Sequence, residues 1–193
     1  MQRDDASRAV RGFGARARKP LDSTRVACDS RAMTDAPRLP DGYEFSADPA
    51  RIDVDRTHRW LSTDAYWALD RPREQHERAV AKSLNFGVYE AASGAQVAYA
   101  RVVTDEALFA WLCDVYVDRQ ARGKGIGTAL VGAVREHLAP FGLRRVLLAT
   151  EDAHGVYAQH GFEPLDRPDQ WMVLWLDRSG RGARQGLDTF GHS

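Results

Sequence analysis

Hydrophobic and polar residues change rhythm several times along this chain, and each change marks an element. Tyr43–Ala47 alternates large and small side chains, which predicts a first strand. Asp53 stands where a helix cap belongs, and Val54, His58 and Leu61 then share one face of a helix to about Ser62. Pro72 opens a second helix to about Leu84, charged at Glu74, Glu77, Arg78 and Lys82. Phe86–Ala91 and Gln96–Thr104 read as strands joined through Ser93-Gly94, and Ala107–Val117 as the third strand of that meander. Ile126, Leu130, Val134 and Leu138 recur every four residues and predict a helix with one buried stripe, ended by Pro140 and Gly142. Arg145–Thr150 reads as a strand whose apolar centre, Val146–Ala149, predicts an interior position. A short helix over Ala153–His160 is stopped by Gly161, and Trp171–Leu176 reads as the last strand. The order β-α-α-β-β-β-α-β-α-β predicts an α/β fold, with a mixed, mostly antiparallel sheet and helices on both faces.

The ends of the chain break this pattern. Residues 1–31 carry eight basic and four acidic side chains with no apolar period, and we expect a disordered basic tail over residues 1–40. Its arginines also suit a targeting peptide, against which the acids count. Met33 offers an alternative translation start. Residues 177–193, rich in Gly, Arg and Ser, read as a second disordered tail, which leaves one domain over 41–176. Basic and acidic residues balance at 27 each, so charge gives no reason to expect nucleic acid as a partner. The longest apolar runs are strand-sized, so no membrane association is expected. Cys28 and Cys113 lack the spacing of a zinc site or disulfide framework, and no metal is expected. With no apolar leader, a cytoplasmic protein is expected. The oligomeric state is left open, a homodimer being compatible.

The most informative stretch is Val115–Leu130. Here a strand passes through a basic turn into a helix, with Gly123, Gly125 and Gly127 on alternate positions. Glycines let backbone approach a ligand closely, and free amides at a helix start suit a phosphate or pyrophosphate. Arg122 and Lys124 add positive charge. The mononucleotide phosphate loop is excluded, because Lys124 is followed by Gly125 rather than Ser or Thr. The dinucleotide fingerprint is excluded because its last glycine would fall on Thr128 or Leu130. That spacing also disfavours a nicotinamide enzyme.

Arg122-Gly123-Lys124-Gly125-Ile126-Gly127 resembles in full the acetyl-CoA signature R/Q-x-x-G-x-G/A of the GNAT superfamily of N-acetyltransferases. A shifted match begins at Gln120. Downstream, Ala153, Tyr157, Gly161 and Phe162 resemble the family's N-x-x-A-x-x-x-Y-x-x-x-G-F motif, with Thr150 in place of its asparagine. The resemblance spans Tyr43 to Leu176 and implies the GNAT fold, acetyl-CoA as co-substrate and transfer of an acetyl group to the amine of a small molecule or peptide. It implies that backbone from Arg122 to Thr128 (Arg122, Gly123, Lys124, Gly125, Ile126, Gly127, Thr128) holds the pyrophosphate, and that Val115, Val117 and Thr150 meet the pantetheine. Tyr157 is then the expected donor of a proton to the departing thiolate. A non-catalytic acyl-CoA-binding module of the same fold is the alternative.

Asp114 is the one acid in an apolar strand, and we expect it to serve as the amine's base, directly or through water, to bind a cationic substrate, or to be satisfied by backbone or an arginine. Cys113 should point away from it, as strand neighbours alternate. Asp152 is expected to cap the short helix, while His154 and His160 are expected at the surface. Trp60, Tyr66, Trp67 and Arg101 are the candidate lining of the acceptor pocket.

Overall fold

The computed structural model describes residues 38–174 and 176; nearly all of the first expected tail and all of the second lie outside these residues. Strands β1 (Tyr43–Ser46), β2 (Leu84–Glu90), β3 (Gln96–Thr104), β4 (Phe109–Val117) and β5 (Arg145–Leu147) form one sheet in chain order. The first three pairings are antiparallel and β4–β5 is parallel. Among the described residues there are four α-helices: α1 (Val54–Asp64), α2 (Arg73–Ala81), α3 (Ile126–Leu138) and α4 (His154–Ala158).

Each face of the sheet has its own core. Ile126, Leu130, Val134 and Leu138 are all buried, and with Val131 they pack on Phe86, Val88, Ala98, Ala100, Val102 and Leu112. The alanines at 98 and 100 let the helix axis approach the sheet closely. Burying a side chain such as Leu130 contributes about 1.5–3 kcal/mol. On the opposite face Leu61 of α1 packs with Ile52, Ala65, Tyr99 and Tyr116. Asp53 caps α1, its carboxylate accepting the Arg56 N–H at 2.9 Å. Thr57 and Leu61 are the buried positions of that helix, whereas His58 is only half-buried.

Strand β4 carries an irregularity that shapes everything downstream. Tyr99 pairs with Tyr116 and Arg101 with Cys113, so Ala100 alone faces Asp114 and Val115 together. This is a β-bulge, and its extra residue, Asp114, sits in the left-handed region at φ 53°. The bulge also suspends the strand's alternation. Cys113, opposite Arg101 in register, brings Sγ to 3.5 Å from the Arg101 carbonyl, while Asp114 accepts from the same arginine's side chain at 2.8 Å. Both neighbours therefore turn toward Arg101, contrary to the expected alternation.

Three expectations at the C-terminal end are corrected. The strand expected over Arg145–Thr150 is three residues long and forms the sheet's edge among the described residues. Its apolar centre lines a cavity instead of meeting a further strand. Residues 171–174, expected to open the last strand, join no strand among the described residues, and Met172 and Leu174 are largely open to solvent. The short helix starts at His154 with Ala153 as its cap residue, and the hydroxyl of Thr150, not Asp152, accepts the Ala153 N–H at 3.1 Å.

Candidate functional site

Beyond the rung joining Trp111 to Leu147, β4 and β5 part, and β4 has no neighbour on that side among the described residues. The Asp118 N–H donates to the Val97 carbonyl at 2.9 Å, on the β3 side. Backbone groups alternate along a strand, so Tyr116 also faces β3, and Val115 and Val117 turn their N–H and C=O groups out into the cleft. The Val117 carbonyl accepts from Nε of Arg122 at 3.0 Å.

At the head of the cleft the chain enters α3. Gly123 and Gly125 have φ of 76° and 77°, a conformation that favours glycine, and a Cβ on either would meet no protein atom within 4 Å. Gly125 is the N-cap residue of α3. Among the described residues, no protein group accepts a hydrogen bond from the amides of residues 123–128. The helix dipole adds positive potential at the same point. A run of unpaired amides at an open helix start is a binding place for an anion of phosphate type.

The charged side chains of this turn are held by the protein. Lys124 donates to the Tyr43 hydroxyl at 3.0 Å and lies over that ring. Arg122 meets Asp64, at the end of α1, at 3.1 Å and covers the Tyr116 ring. Asp64 also accepts from Arg119 and from the Tyr116 hydroxyl, in that order the causes that hold its carboxyl well below the usual range. Asp64 was not legible as part of the site: a helix-terminal acid looks the same whether solvated or anchoring three groups.

Helix α4 packs beside α3 and closes a space against β5 and the chain that follows it. A cavity of about 520 Å³ is lined by Leu147, Leu148, Thr150, Tyr157, Phe162 and Leu165. Tyr157 packs edge-on against Phe162, with ring centroids 5.9 Å apart, and its hydroxyl bonds no protein group among the described residues. Burial, then the charge of Asp152 and the nearby Tyr66, push its phenol up to about 12. Across the cleft mouth, the Tyr66 hydroxyl accepts the Glu151 N–H at 3.3 Å, linking the α1–α2 connection to the α4 approach. His160, expected at the surface, is buried, with the Thr128 backbone beside it and Nε2 unpartnered. Its burial follows from the chain turning inward at Gly161, φ 83°, to seat Phe162.

Asp114 is the most deeply buried acid of the site. Arg71 grips it with both terminal nitrogens, at 2.8 and 2.9 Å, and Arg101 adds Nε at 2.8 Å. Burial alone would raise its carboxyl, but the two guanidiniums outweigh this and the net direction is down. A carboxylate so held is a poor proton acceptor, which corrects the expectation that Asp114 serves as the amine's base. Nothing local in the sequence separates Arg71 from Arg73, which pairs with Asp55 and Glu77 at the surface. Of the expected acceptor-side aromatics, Tyr66 and Trp67 are exposed and stack edge to face, centroids 4.9 Å apart. Trp60 instead stacks on Tyr116 at 5.3 Å and belongs to the packing under α1. Burial pushes the Cys113 thiol up to about 11, which leaves it neutral and no nucleophile.

Among the described residues no group of His, Cys, Asp and Glu side chains could hold a metal, and no helix is long and apolar enough to cross a membrane. Comparison with known proteins gives the same picture as the geometry. The acetyltransferase (GNAT) family model matches residues 54–162. A Gibberella zeae protein whose name proposes acetyltransferase activity is 31% identical over 136 residues, 61% of this chain and 77% of its own. A crystal structure from Xanthomonas campestris pv. campestris, described as a candidate acetyltransferase of the GNAT family, is 43% identical. It covers 72% of this chain and 95% of its own, with a TM-score of 0.66. A Mycobacterium tuberculosis protein crystallised with CoA and NLQ shares the fold at 21% identity and a TM-score of 0.53, over 64% of this chain and 73% of its own. A five-stranded mixed sheet parted between β4 and β5, a glycine turn opening α3 and a family match across both together place this chain in the GNAT family of acetyltransferases.

Proposed function

We propose that the protein is an acetyl-CoA-dependent N-acetyltransferase acting on the amine of a small molecule or peptide. The observation that carries this reading is the run of unpaired amides over residues 123–128 at the head of the parted strands. In it, those amides hold the pyrophosphate, and the outward backbone of Val115 and Val117 lies along the pantetheine arm. Acetyl-CoA supplies an activated acyl group, which an amine attacks directly when both are bound side by side. The amide of Val115, unpaired in the cleft, is the hydrogen-bond donor for the thioester oxygen.

Tyr157 supplies the proton that the departing sulfur takes up, and the proton shed by the acylated nitrogen restores the phenol. Its hydroxyl is free of protein partners and its pKa, about 12, keeps it protonated at any working pH. Asp114 takes no proton in this scheme; it anchors Arg71 and Arg101 on the acceptor side.

Isothermal titration with acetyl-CoA, followed by a thiol-release assay over a panel of amines, tests the reading. Saturable binding with amine-dependent release of CoA is the expected result. Binding without release from any amine would instead make the chain an acyl-CoA-binding module, and absence of binding would remove the reading altogether.

A further inference from the structure

We propose that the acceptor amine carries an anionic group, a carboxylate or a phosphate ester, and that Arg101, with Arg71 beside it, selects it. The inference rests on the acetyltransferase reading above and names the substrate class of that same site.

The argument starts from charge. The forked contact from Arg71 by itself satisfies the Asp114 carboxylate, one guanidinium against one acid. Arg101 is then a second cation without a counter-ion of its own. Its Nε shares an oxygen already taken by Arg71, its Nη1 donates to the neutral Ser83 hydroxyl at 3.0 Å, and its Nη2 bonds nothing. The side chains of Arg71, Arg101 and Asp114 are 16%, 13% and 2% exposed. No other carboxylate among the described residues pairs with either arginine. The remaining neighbours add no negative charge. The Cys113 thiol is neutral, Tyr99 donates its hydroxyl to Asn85, His58 donates to the Arg71 carbonyl and His76 is buried. Two guanidiniums facing one carboxylate leave a net positive charge at this depth. An arriving anion offsets it.

Access and surroundings fit the same ligand. Among the described residues, the buried side-chain atoms without a partner are His76 Nδ1 and His160 Nε2. Arg101 Nη2, unbonded yet not among them, therefore keeps some contact with solvent. Arg101 and Val103 share a sheet face, and Trp111 stands opposite Val103 in register. Val103 is 42% exposed and Trp111 37%, so an apolar floor leads up to the cation. A short apolar body ending in an acid matches that floor. The site lies next to the bulge, where β4 leaves β5, so an amine a few bonds from the anion is directed at the cleft.

The test uses matched amines that differ in one anion: β-alanine against propylamine, and O-phosphoethanolamine against ethanolamine. Thiol release is followed with the full chain at saturating acetyl-CoA. In the wild type, kcat/KM for the acidic partner is expected to exceed the neutral one by tenfold or more, and the favoured pair tells carboxylate from phosphate. Arg101→Gln is expected to lower that ratio at least tenfold, through KM, with Arg101→Lys recovering part of it. The acetyl-CoA KM, measured alongside, reports that each variant is folded. Preference for the neutral amines, or an unchanged ratio in Arg101→Gln, overturns the proposal. If no amine turns over, the acids are titrated into the CoA-bound protein, and absence of binding overturns it while leaving the cofactor reading intact. Failure to bind acetyl-CoA itself would strike the acetyltransferase reading instead.

Discussion

Gly125 and Gly94 provide a matched pair of substitutions. Both are in the left-handed region, at φ 77° and 70°, and a Cβ on either meets nothing within 4 Å. Alanine at either site therefore carries the same backbone strain, about 1–2 kcal/mol, with no clash. Reduced freedom of the unfolded chain returns about 0.4–1 kcal/mol, leaving a net loss near ~1 kcal/mol, or roughly 2–4 °C in Tm. The two sites differ in what surrounds them. Gly94 lies in the β2–β3 turn, its N–H bonded to the Glu90 carbonyl at 2.8 Å. Gly125 lies among the unpaired amides, where a methyl group occupies the space a pyrophosphate would need. Gly94→Ala should thus melt like Gly125→Ala but bind acetyl-CoA like the wild type. Gly125→Ala should lose tenfold or more in affinity, equivalent to about 1.4 kcal/mol. Thermal melts and titration calorimetry on the three proteins decide the matter. Equal affinities in the two variants would refute the assignment of the loop, whatever their stability.

Other consequences follow from the pKa shifts. Tyr157→Phe should reduce kcat by roughly 10² while leaving acetyl-CoA affinity unchanged. Because the phenol titrates near 12, the wild-type rate should show no falling limb near pH 10, and one that vanished in Tyr157→Phe would contradict the assigned role. Burial, then the charges of Arg71 and His58, bring His76 down to about 4. The folded state thus holds His76 neutral, and the stability this gives is complete above pH 6.5 and lost as pH falls through 4. Over that window the loss is up to about 3 kcal/mol, read by urea unfolding at each pH. His76→Gln should flatten the slope, and an unchanged slope would exclude His76 as its source.

Local pattern made much of this fold legible. The four-residue recurrence in α3 marked its buried face because a helix on a sheet needs one continuous stripe, and all four residues are buried. The glycine turn was legible because positive φ at two nearby positions leaves little choice of residue. Contacts distant in sequence were not legible. Arg71 and Asp114 are 43 positions apart, and no rule of spacing joins a loop arginine to a strand acid. The bulge was hidden for the same reason: Asp114 breaks an apolar run, yet whether it is a satisfied charge or a catalyst depends on which side chains the sheet brings across. The apolar centre of Arg145–Thr150 misled because an interior strand and a cavity wall call for the same residues.

The whole junction between the two halves of the sheet is a ladder of three residues, Phe109–Trp111 against Arg145–Leu147. At about 3.3 Å per residue it is some ~10 Å long, half the length of the stretch of β4, Leu112–Val117, that runs on beyond it. Such a joint resists shear but yields readily to bending, so small rotations at its end translate into larger changes of gap at Val115. A thread-like ligand lying between the arms would brace them, and α4 would then gain its firm footing only with that ligand in place.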